Sequence, residues 1–282
     1  MTMTKIPIPV VKTIEQRHSV RTFEDKKLLP EDKEKLMAFS ETLSNPFGAK
    51  VKFHIAEKGL ASDGEKLGTY GVIKGASTFL GVSADKTEFG PVAAGYEFEN
   101  LLLYATAMGL GTVWLAATFS RDSFEDAMGI EKEELFPAIS PVGYPAAKRS
   151  MHESIMRATM KSSTRKPWRE LFFRNDFGTP LTEREAEAYT LPLEMVRLAP
   201  SATNAQPWRV LKIGNVYHFY ETHKKDAAPG EAMIKRVDLG IALSHFHQTV
   251  LEQGLNGRFE KLPQDTIRIP ENTYYGISWL AE

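Results

Sequence analysis

The sequence predicts an α+β protein built from two copies of one unit. Helical and strand patterns occur together in both halves of the 282-residue chain, which indicates a protein with both α and β structure. An arginine cluster, a helix, a proline–aromatic turn, a strand and a long apolar helix then occur twice in the same order. Equivalent positions are separated by 148 residues (Arg17 and Arg165), 161 residues (Pro46 and Pro207) and 145 residues (Gly109 and Gly254). Repetition at similar spacing indicates an internal duplication.

The two copies are expected to span residues 1–150 and 151–282. No linker rich in Gly, Pro or Ser separates them, so we expect them to pack as one body. Chance recurrence of common elements is the alternative, and the shared order makes it the weaker one.

In the first half, apolar residues three or four apart indicate helices, and alternating or continuous apolar runs indicate strands. The predicted helices cover residues 13–16, 30–43, 98–108 and 120–128, and the predicted strands cover residues 51–56, 79–82 and 137–142. Pro30 suits the first turn of its helix, whereas Gly109 and Gly129 stand where C-terminal caps belong.

The second half repeats these signals. Thr182 and Glu185 form a capping-box pattern for a helical segment that ends near Leu198. Strands are predicted over residues 209–213 and 216–220, and the Gly214-Asn215 pair between them predicts a hairpin. A helix over residues 239–250 and a strand over residues 274–280 complete the unit.

Composition excludes several classes of function. The formal net charge is -1, which gives no electrostatic basis for binding nucleic acid or an anionic membrane. The absence of cysteine excludes disulfides, thiolate metal sites and a cysteine nucleophile, and it fits a cytoplasmic protein. No secretory leader and no apolar run long enough to cross a membrane are recognisable, so we expect a soluble protein.

Two polar stretches are the candidates for a binding site. The first, Arg17-His18-Ser19-Val20-Arg21, concentrates donors that suit a phosphate, although a solvated basic turn is the simpler reading. The second, residues 199–209, carries Ser, Thr, Asn and Gln between two prolines and ends in Trp208-Arg209. It is either a rigid loop that contacts the polar edge of a planar ligand or an ordinary turn beside a core tryptophan.

Two other patterns carry no chemistry. The Gly109-Leu-Gly111 stretch lacks the third glycine of a dinucleotide-binding motif and follows a helix, not a strand, so we reject a Rossmann site. His245 and His247 lie two residues apart on a helix and face different sides, which favours a surface or packing role over a metal site.

Taken together, the Arg-His-Ser-Val-Arg cluster, the Pro-Ser-x-x-Asn-x-Gln-Pro-Trp loop, the Gly-Leu-Gly helix end and the Pro-Val-Gly-Tyr-Pro turn resemble the FMN-dependent nitroreductase superfamily. The two fused halves resemble its subgroup of "putative TM nitroreductases". This resemblance implies a nitroreductase-like fold with antiparallel and mixed sheets packed by helices. In that superfamily, FMN lies at a homodimer interface, and here the two halves would supply that interface within one chain.

The resemblance also implies a set of cofactor-binding residues. Those matching the phosphate and ribityl contacts are Arg17, His18, Ser19 and Arg21. Those matching the ring contacts are Pro200, Ser201, Ala202 and Asn204, and Leu115, Ala116 and Ala117 match positions beside the flavin ring. Lys148 and Arg149 match a basic pair near the phosphate, and Tyr70 and Lys74 lie near the region that contacts the pyrimidine edge.

The chain departs from the family pattern in ways that bear on function. Ala202 replaces a frequent serine, and the segment Leu115-Ala116-Ala117 lies where the family often has Glu-Gly. In the reciprocal site, which would pair residues 165–169 with residues 43–47, Pro167 replaces the serine of the phosphate cluster. We therefore predict one FMN per chain and one inactive second site.

The expected activity is an NAD(P)H-driven, ping-pong reduction of a nitroaromatic, quinone or similar small acceptor by FMN. The expected assembly is a monomer that contains an internal pseudo-dimer, with further oligomerisation left open. Three alternatives remain at this point: a non-catalytic flavin binder or sensor, a cofactor-free interaction protein, and an enzyme that fragments flavin or removes halogen on the same fold.

Overall fold

The computed structural model describes residues 5–57, 68–147 and 164–282. The elements of its first half, in chain order, are α1 (Val10–Gln16), α2 (Pro30–Ser40), β1 (Val51–Glu57), β2 (Thr78–Asp85), α3 (Gly90–Ala107), β3 (Gly111–Thr112), α4 (Arg121–Met128) and β4 (Glu134–Gly143). The four strands form an antiparallel sheet in the order β1-β2-β4-β3.

The second half contains a larger, mixed sheet. Its elements are α5 (Trp168–Leu171), β5 (Phe172–Arg174), β6 (Asp176–Pro180), α6 (Glu183–Ala186), α7 (Thr190–Leu198), β7 (Trp208–Ile213), β8 (Val216–Thr222), α8 (Pro229–Glu252), β9 (Gly257–Glu260) and β10 (Thr273–Ala281). The strand order is β6-β5-β7-β8-β10-β9, and β5 and β7 are the parallel pair. The predicted hairpin forms between β7 and β8, with Gly214 at a φ of 55°.

Helices α3 and α8 form the layer between the two sheets. Helix α3 packs on the strands of the first sheet, and α8 packs on β7 and β8 of the second. Each helix is buried over most of its length, which is why apolar residues occur on nearly every side of both.

The two helices cross at glycines. A Cβ atom on Gly95 would overlap the backbone oxygen of Val237, and a Cβ atom on Gly240 would overlap the backbone oxygen of Val92. Val92 and Gly95 are related to Val237 and Gly240 by the same offset of 145 residues that separates Gly109 from Gly254. The contact is therefore reciprocal, as expected where two copies of one helix meet across a two-fold axis.

Polar contacts further along the crossing have the same symmetry. His245 Nε2 lies 2.9 Å from Glu99 Oε1, and Ser244 Oγ donates to Asn100 Oδ1 at 2.8 Å. By the offset of 145, Ser244 is the equivalent of Glu99, and His245 is the equivalent of Asn100. The Glu99–His245 and Asn100–Ser244 contacts are therefore equivalent to each other across the two-fold axis. The predicted α+β fold with an internally duplicated pseudo-dimer is confirmed.

Several predicted boundaries are wrong, and each error has a physical origin. Helix α3 starts at Gly90 and α8 at Pro229, eight and ten residues before the predicted starts. Pro91 and Pro229 occupy the first turn, where a missing N–H is tolerated, so they begin these helices and do not interrupt them. Helix α2 ends at Ser40 and not at residue 43.

Some strands and the border between the halves are not settled by the sequence. Strands β3, β5, β6 and β9 have two to five residues and were not predicted, because such short strands have no readable alternation. The division at residue 150 falls among residues 148–163, outside the described ranges, and stays a prediction.

Among the described residues, no helix is both long enough and apolar enough to cross a bilayer.

The helix crossing gives a first testable prediction. We expect Gly240→Ala to lower the free energy of unfolding by about 1–3 kcal/mol, because the new methyl group would force the backbones of α3 and α8 apart. The matched control is Gly230→Ala in the same helix, where a Cβ atom meets nothing within 4 Å. We expect that control to leave stability unchanged or to raise it slightly. Urea unfolding of both variants measures the difference, and equal effects would contradict the crossing described here.

Candidate functional site

A cavity of about 420 Å³ lies between the two halves and is lined by both. Its volume is within the range of small-molecule sites. The first half contributes Arg17, His18, Ser19, Arg21, Val72, residues 113–118 and Pro137. The second half contributes Arg165, residues 200–204, Ile234, Val237, Asp238 and Ile241.

The arginine-bearing segment after α1 is held in an extended conformation by backbone hydrogen bonds. Val20 N donates to Thr112 O of β3 at 2.9 Å, and Lys74 N donates to Arg21 O at 3.0 Å. In extended backbone, successive side chains point in opposite directions. Val20 is buried in the apolar core, whereas Ser19 and Arg21 on either side of it line the cavity.

The buried carboxyl group of Glu99 contacts two residues that line the cavity, Arg17 and Trp114. Glu99 of α3 has no exposed surface, and its Oε1 lies 3.7 Å from Arg17 Nε and 2.9 Å from His245 Nε2. Its Oε2 accepts a hydrogen bond from Trp114 Nε1 at 2.6 Å. His245 Nδ1 lies 3.0 Å from Met195 O of α7, so both ring nitrogens of this histidine have a partner. Glu99 thus fixes both Arg17 and Trp114.

Sequence analysis missed Glu99, although one signal was available. The residue stands in an apolar helix between Phe98 and Leu101, where a carboxylate is rare unless it is paired. The expected packing role for the two histidines is what the structure shows: His245 belongs to this buried cluster, and His247 packs against Phe259 and Trp279.

The loop at residues 200–206 holds a strained conformation. Thr203, Asn204 and Gln206 have φ values of 54°, 56° and 49°, a region that non-glycine residues seldom occupy. Gln206 N donates to Ser201 Oγ at 2.9 Å, and the Gln206 side-chain oxygen accepts from Lys166 N at 2.7 Å. Several of the polar groups noted in the sequence therefore maintain the loop itself, while Trp208 is fully buried in the core.

Arg165 lies in this cavity, and its predicted place in a reciprocal site with residues 43–47 is wrong. Its Nη2 donates to Leu198 O at 3.0 Å, and its Nη1 lies 3.4 Å from Asn204 Oδ1. Burial, together with the positive charges of Arg17 and Arg197, lowers the pKa of Arg165 to about 10, so the guanidinium stays charged near neutral pH. The cavity wall therefore carries three arginines.

Asp238 of α8 is a second carboxyl group that sequence analysis missed. It is 2% exposed and lines the cavity, and its Oδ1 accepts a hydrogen bond from Ala202 N at 2.9 Å. Burial raises its pKa to about 7, and the negative charge of Glu221 adds to the rise. The bond from Ala202 and the charge of Lys235 act in the opposite direction. The available signal was an isolated acid between Val237 and Leu239 in an apolar stripe.

The structure brings most of the predicted binding residues together around one cavity. Those that line the cavity are Arg17, His18, Ser19, Arg21, Leu115, Ala116, Ala117, Pro200, Ser201, Ala202 and Asn204. Tyr70 and Lys74 are not among the lining residues, and both are exposed. Val72, which lies between them, does line the cavity. Lys148 and Arg149 lie outside the described residues. Which of these residues bind a ligand stays a prediction.

The equivalent position on the other side of the pseudo-two-fold axis is filled by aromatic rings. The offset of 145 residues relates Ile234 to Phe89, Ile241 to Tyr96 and Trp114 to Phe259. Phe47 lies against all three of these aromatic residues, with ring centroids 5.8, 5.5 and 5.6 Å away. Side-chain volume therefore occupies the second position where the first has a cavity.

Comparison with solved structures identifies the class of fold. A nitroreductase from Thermotoga maritima, described as "putative", covers 99% of this chain and 97% of its own, with a TM-score of 0.61 and 22% sequence identity. A Bacteroides fragilis nitroreductase solved with bound FMN covers 51% of this chain and 91% of its own, with a TM-score of 0.42 and 17% identity. The comparison with the T. maritima structure shows that the fold is the nitroreductase fold.

The family follows from the sequence. The family model described as "Putative TM nitroreductase" matches residues 9–250, and the chain belongs to this family. A relative from Archaeoglobus fulgidus, named "Putative NADH dehydrogenase/NAD(P)H nitroreductase", is 24% identical over 177 residues, which are 56% of this chain and 98% of that protein. The family-level resemblance predicted from the sequence motifs is confirmed.

The buried cluster around Glu99 gives a second prediction. We expect Glu99→Gln to lower the free energy of unfolding by about 3–5 kcal/mol, because the guanidinium of Arg17 would lose the buried carboxylate that compensates its charge. The control is Glu88→Gln, which breaks the exposed pair with Lys261 at 2.7 Å and should change stability by about 0–1 kcal/mol. Urea unfolding followed by tryptophan fluorescence measures both. A Glu99→Gln protein as stable as the control would show that the cluster does not support the cavity wall.

Proposed function

We propose that this protein is an FMN-dependent oxidoreductase in which NAD(P)H is the electron donor and a nitroaromatic, quinone or similar small molecule is the acceptor. The observation that carries the proposal is a single cavity that combines three arginines with an apolar wall and is built by both halves of the chain. FMN would supply the redox chemistry, because its ring accepts a hydride from the donor and returns electrons to the acceptor.

The charges around the cavity suit a phosphorylated ligand. Guanidinium groups bind phosphate oxygens through paired N–H donors, and Arg17, Arg21 and Arg165 provide such groups. The carboxyl group of Asp238 opposes them only in part, since burial raises its pKa to about 7. Glu99 holds Arg17 in place from behind the wall. We infer that this side of the cavity takes the phosphate and the neighbouring ribityl hydroxyls.

The apolar part of the wall suits a planar ring. Trp114, Val237 and Ile241 lie in the lining. Leu115 is fixed by two backbone hydrogen bonds with Ile139, each 2.9 Å long, so the adjoining segment 115–117 forms a firm edge. We infer that these residues exclude water from one side of the ring and that the loop at residues 200–204 bounds the other.

The filled second position supports a ping-pong order of events. Since aromatic rings occupy the equivalent of the cavity, we propose that NAD(P)H and the acceptor use the space over the same flavin in turn. The A. fulgidus relative, whose name includes NAD(P)H nitroreductase, supports the choice of donor. Because both walls come from one chain, the site needs no second subunit, and a monomer with an internal pseudo-dimer is the proposed working unit.

One observation favours a second candidate, a flavin-binding protein without catalysis. Ala116 and Ala117 lie beside the cavity and provide no carboxylate, and Ala202 provides no hydroxyl. A bound flavin would then have fewer side-chain contacts to tune its reactivity.

Flavin binding and turnover test both candidates. FMN added to the apoprotein should bind with quenching of flavin fluorescence, and Arg17→Ala should weaken binding by about 1.5–3 kcal/mol through loss of a charge-assisted hydrogen bond. Arg268→Ala, which alters an exposed arginine outside the cavity, should leave the affinity for FMN unchanged.

Oxidation of NAD(P)H by the reconstituted protein in the presence of a quinone or nitroaromatic would support the enzyme. FMN binding without turnover would support the second candidate, and absence of FMN binding would reject both.

The stoichiometry gives a further prediction. We expect one FMN per chain, because the rings of Phe47, Phe89, Tyr96 and Phe259 fill the second position. Absorbance of the reconstituted protein, after removal of free flavin, measures the ratio of FMN to chain. A ratio of about two would contradict the assignment of the aromatic cluster as a filled site.

A further inference from the structure

Asp238 is a residue of the cavity wall that has one carboxyl oxygen without a hydrogen-bond partner among the described residues. One oxygen, Oδ1, accepts from Ala202 N at 2.9 Å and thereby ties α8 to the loop. The other, Oδ2, is buried and has no hydrogen-bond partner among the residues that the structure describes. A buried carboxyl oxygen without a partner is unfavourable. A ligand that brought a donor to it would remove that penalty.

The charged groups around Asp238 do not satisfy this oxygen. Lys235 Nζ, on the same helix, lies 3.9 Å from Oδ2, which is an ion-pair distance and too long for a hydrogen bond. Glu221 of β8 raises the pKa of Asp238 by its negative charge, and its own Oε1 lies 3.2 Å from Arg236 Nε. The other charged or titratable groups that line the same cavity are Arg17, His18, Arg21 and Arg165.

We infer that Asp238 is a ligand-recognising residue whose Oδ2 accepts a hydrogen bond from an N–H or O–H group of the bound molecule. This inference rests on the proposed function, because it takes FMN as that molecule. FMN offers both kinds of donor, an imide N–H on the ring and hydroxyl groups on the ribityl chain. No motif pointed to this residue, since it lies on α8, thirty-four residues after Asn204, the last ring-contact position of the loop motif.

The inference carries a pH signature with a definite sign. The pKa of Asp238 in the ligand-free protein is raised to about 7. Above that pH the carboxylate accepts a hydrogen bond from the ligand. Below it Oδ2 carries a proton, so that an O–H group of Asp238 faces the N–H or O–H group of the ligand and neither can accept from the other. The contribution of Asp238 to binding should therefore be present at high pH and be lost as the pH falls through about 7.

Asp238→Asn isolates this contribution. The amide oxygen can still accept from Ala202 N, so the loop contact is preserved, while the NH₂ group replaces the acceptor with a donor. Titration of apoprotein with FMN should give about tenfold weaker binding for the variant at about pH 8.5 and nearly equal binding at about pH 5.5. The ratio of the two dissociation constants removes the titration of the FMN phosphate, which is common to both proteins.

The chain offers a matched control in Glu97 of α3. This carboxyl group is 4% exposed, burial raises its pKa to about 7, and it accepts a hydrogen bond from Asn45 Nδ2, a residue of the loop in its own half. It is not among the residues that line the cavity. Glu97→Gln should therefore leave FMN binding within about twofold of the wild type at every pH tested, and thermal unfolding of all three apoproteins checks that they are folded.

A flavin analogue identifies which donor is recognised. With 3-methyl-FMN, which lacks the imide N–H, the effect of Asp238→Asn should disappear if the ring is the partner and persist if a ribityl hydroxyl is. Either result supports the inference. Equal FMN binding by folded wild-type and Asp238→Asn proteins over the whole pH range would overturn it while leaving the proposed function standing. Failure of the wild type to bind FMN would overturn the proposed function and this inference with it.

Discussion

The close approach of α3 and α8 is the constraint on which the rest of the structure depends. Gly95 and Gly240 lack the side chains that would separate the helices, so each backbone rests against the other. This contact fixes the two halves relative to each other and places Glu99 opposite His245. The cavity inherits its geometry from the same contact, because α8 forms part of its wall and Glu99 of α3 holds Arg17 on the other side. Packing of two interior helices thus determines a polar site at the border between the halves.

Duplication alone would give two equivalent cavities, and side-chain volume makes them different. Where one position has Ile234 and Ile241, the other has Phe89 and Tyr96, and Phe47 packs against both rings. Aromatic contacts around the buried ring of Tyr96 stabilise the filled position, whereas the open position lacks those contacts and has three arginines in its wall. The stability of one side of the pseudo-dimer therefore helps to offset the cost of keeping the other side open and charged.

Local signals in the sequence predicted the architecture because they act over a few residues. The hairpin at Gly214-Asn215, the capping box at Thr182 and the repeated helix ends all depend on neighbours in the chain, and the structure contains each of them. The starts of α3 and α8 were misplaced, because the effect of a proline depends on whether it falls in the first turn or inside a helix. Arg165 was assigned to the wrong site, because a linear repeat does not show which wall a side chain faces.

The sequence marks Glu99 and Asp238 as unusual acids in apolar helices, but it does not show which groups surround each carboxyl group. A buried carboxyl group is tolerated when donors surround it, and the number of donors is set by tertiary contacts. Glu99 meets Trp114, His245 and Arg17, so both of its oxygens are engaged within the protein. Asp238 receives one backbone N–H, and Lys235 stays at 3.9 Å. The first acid therefore holds the wall in place, and the second retains an oxygen without a partner, which the proposed contact with a bound molecule would engage.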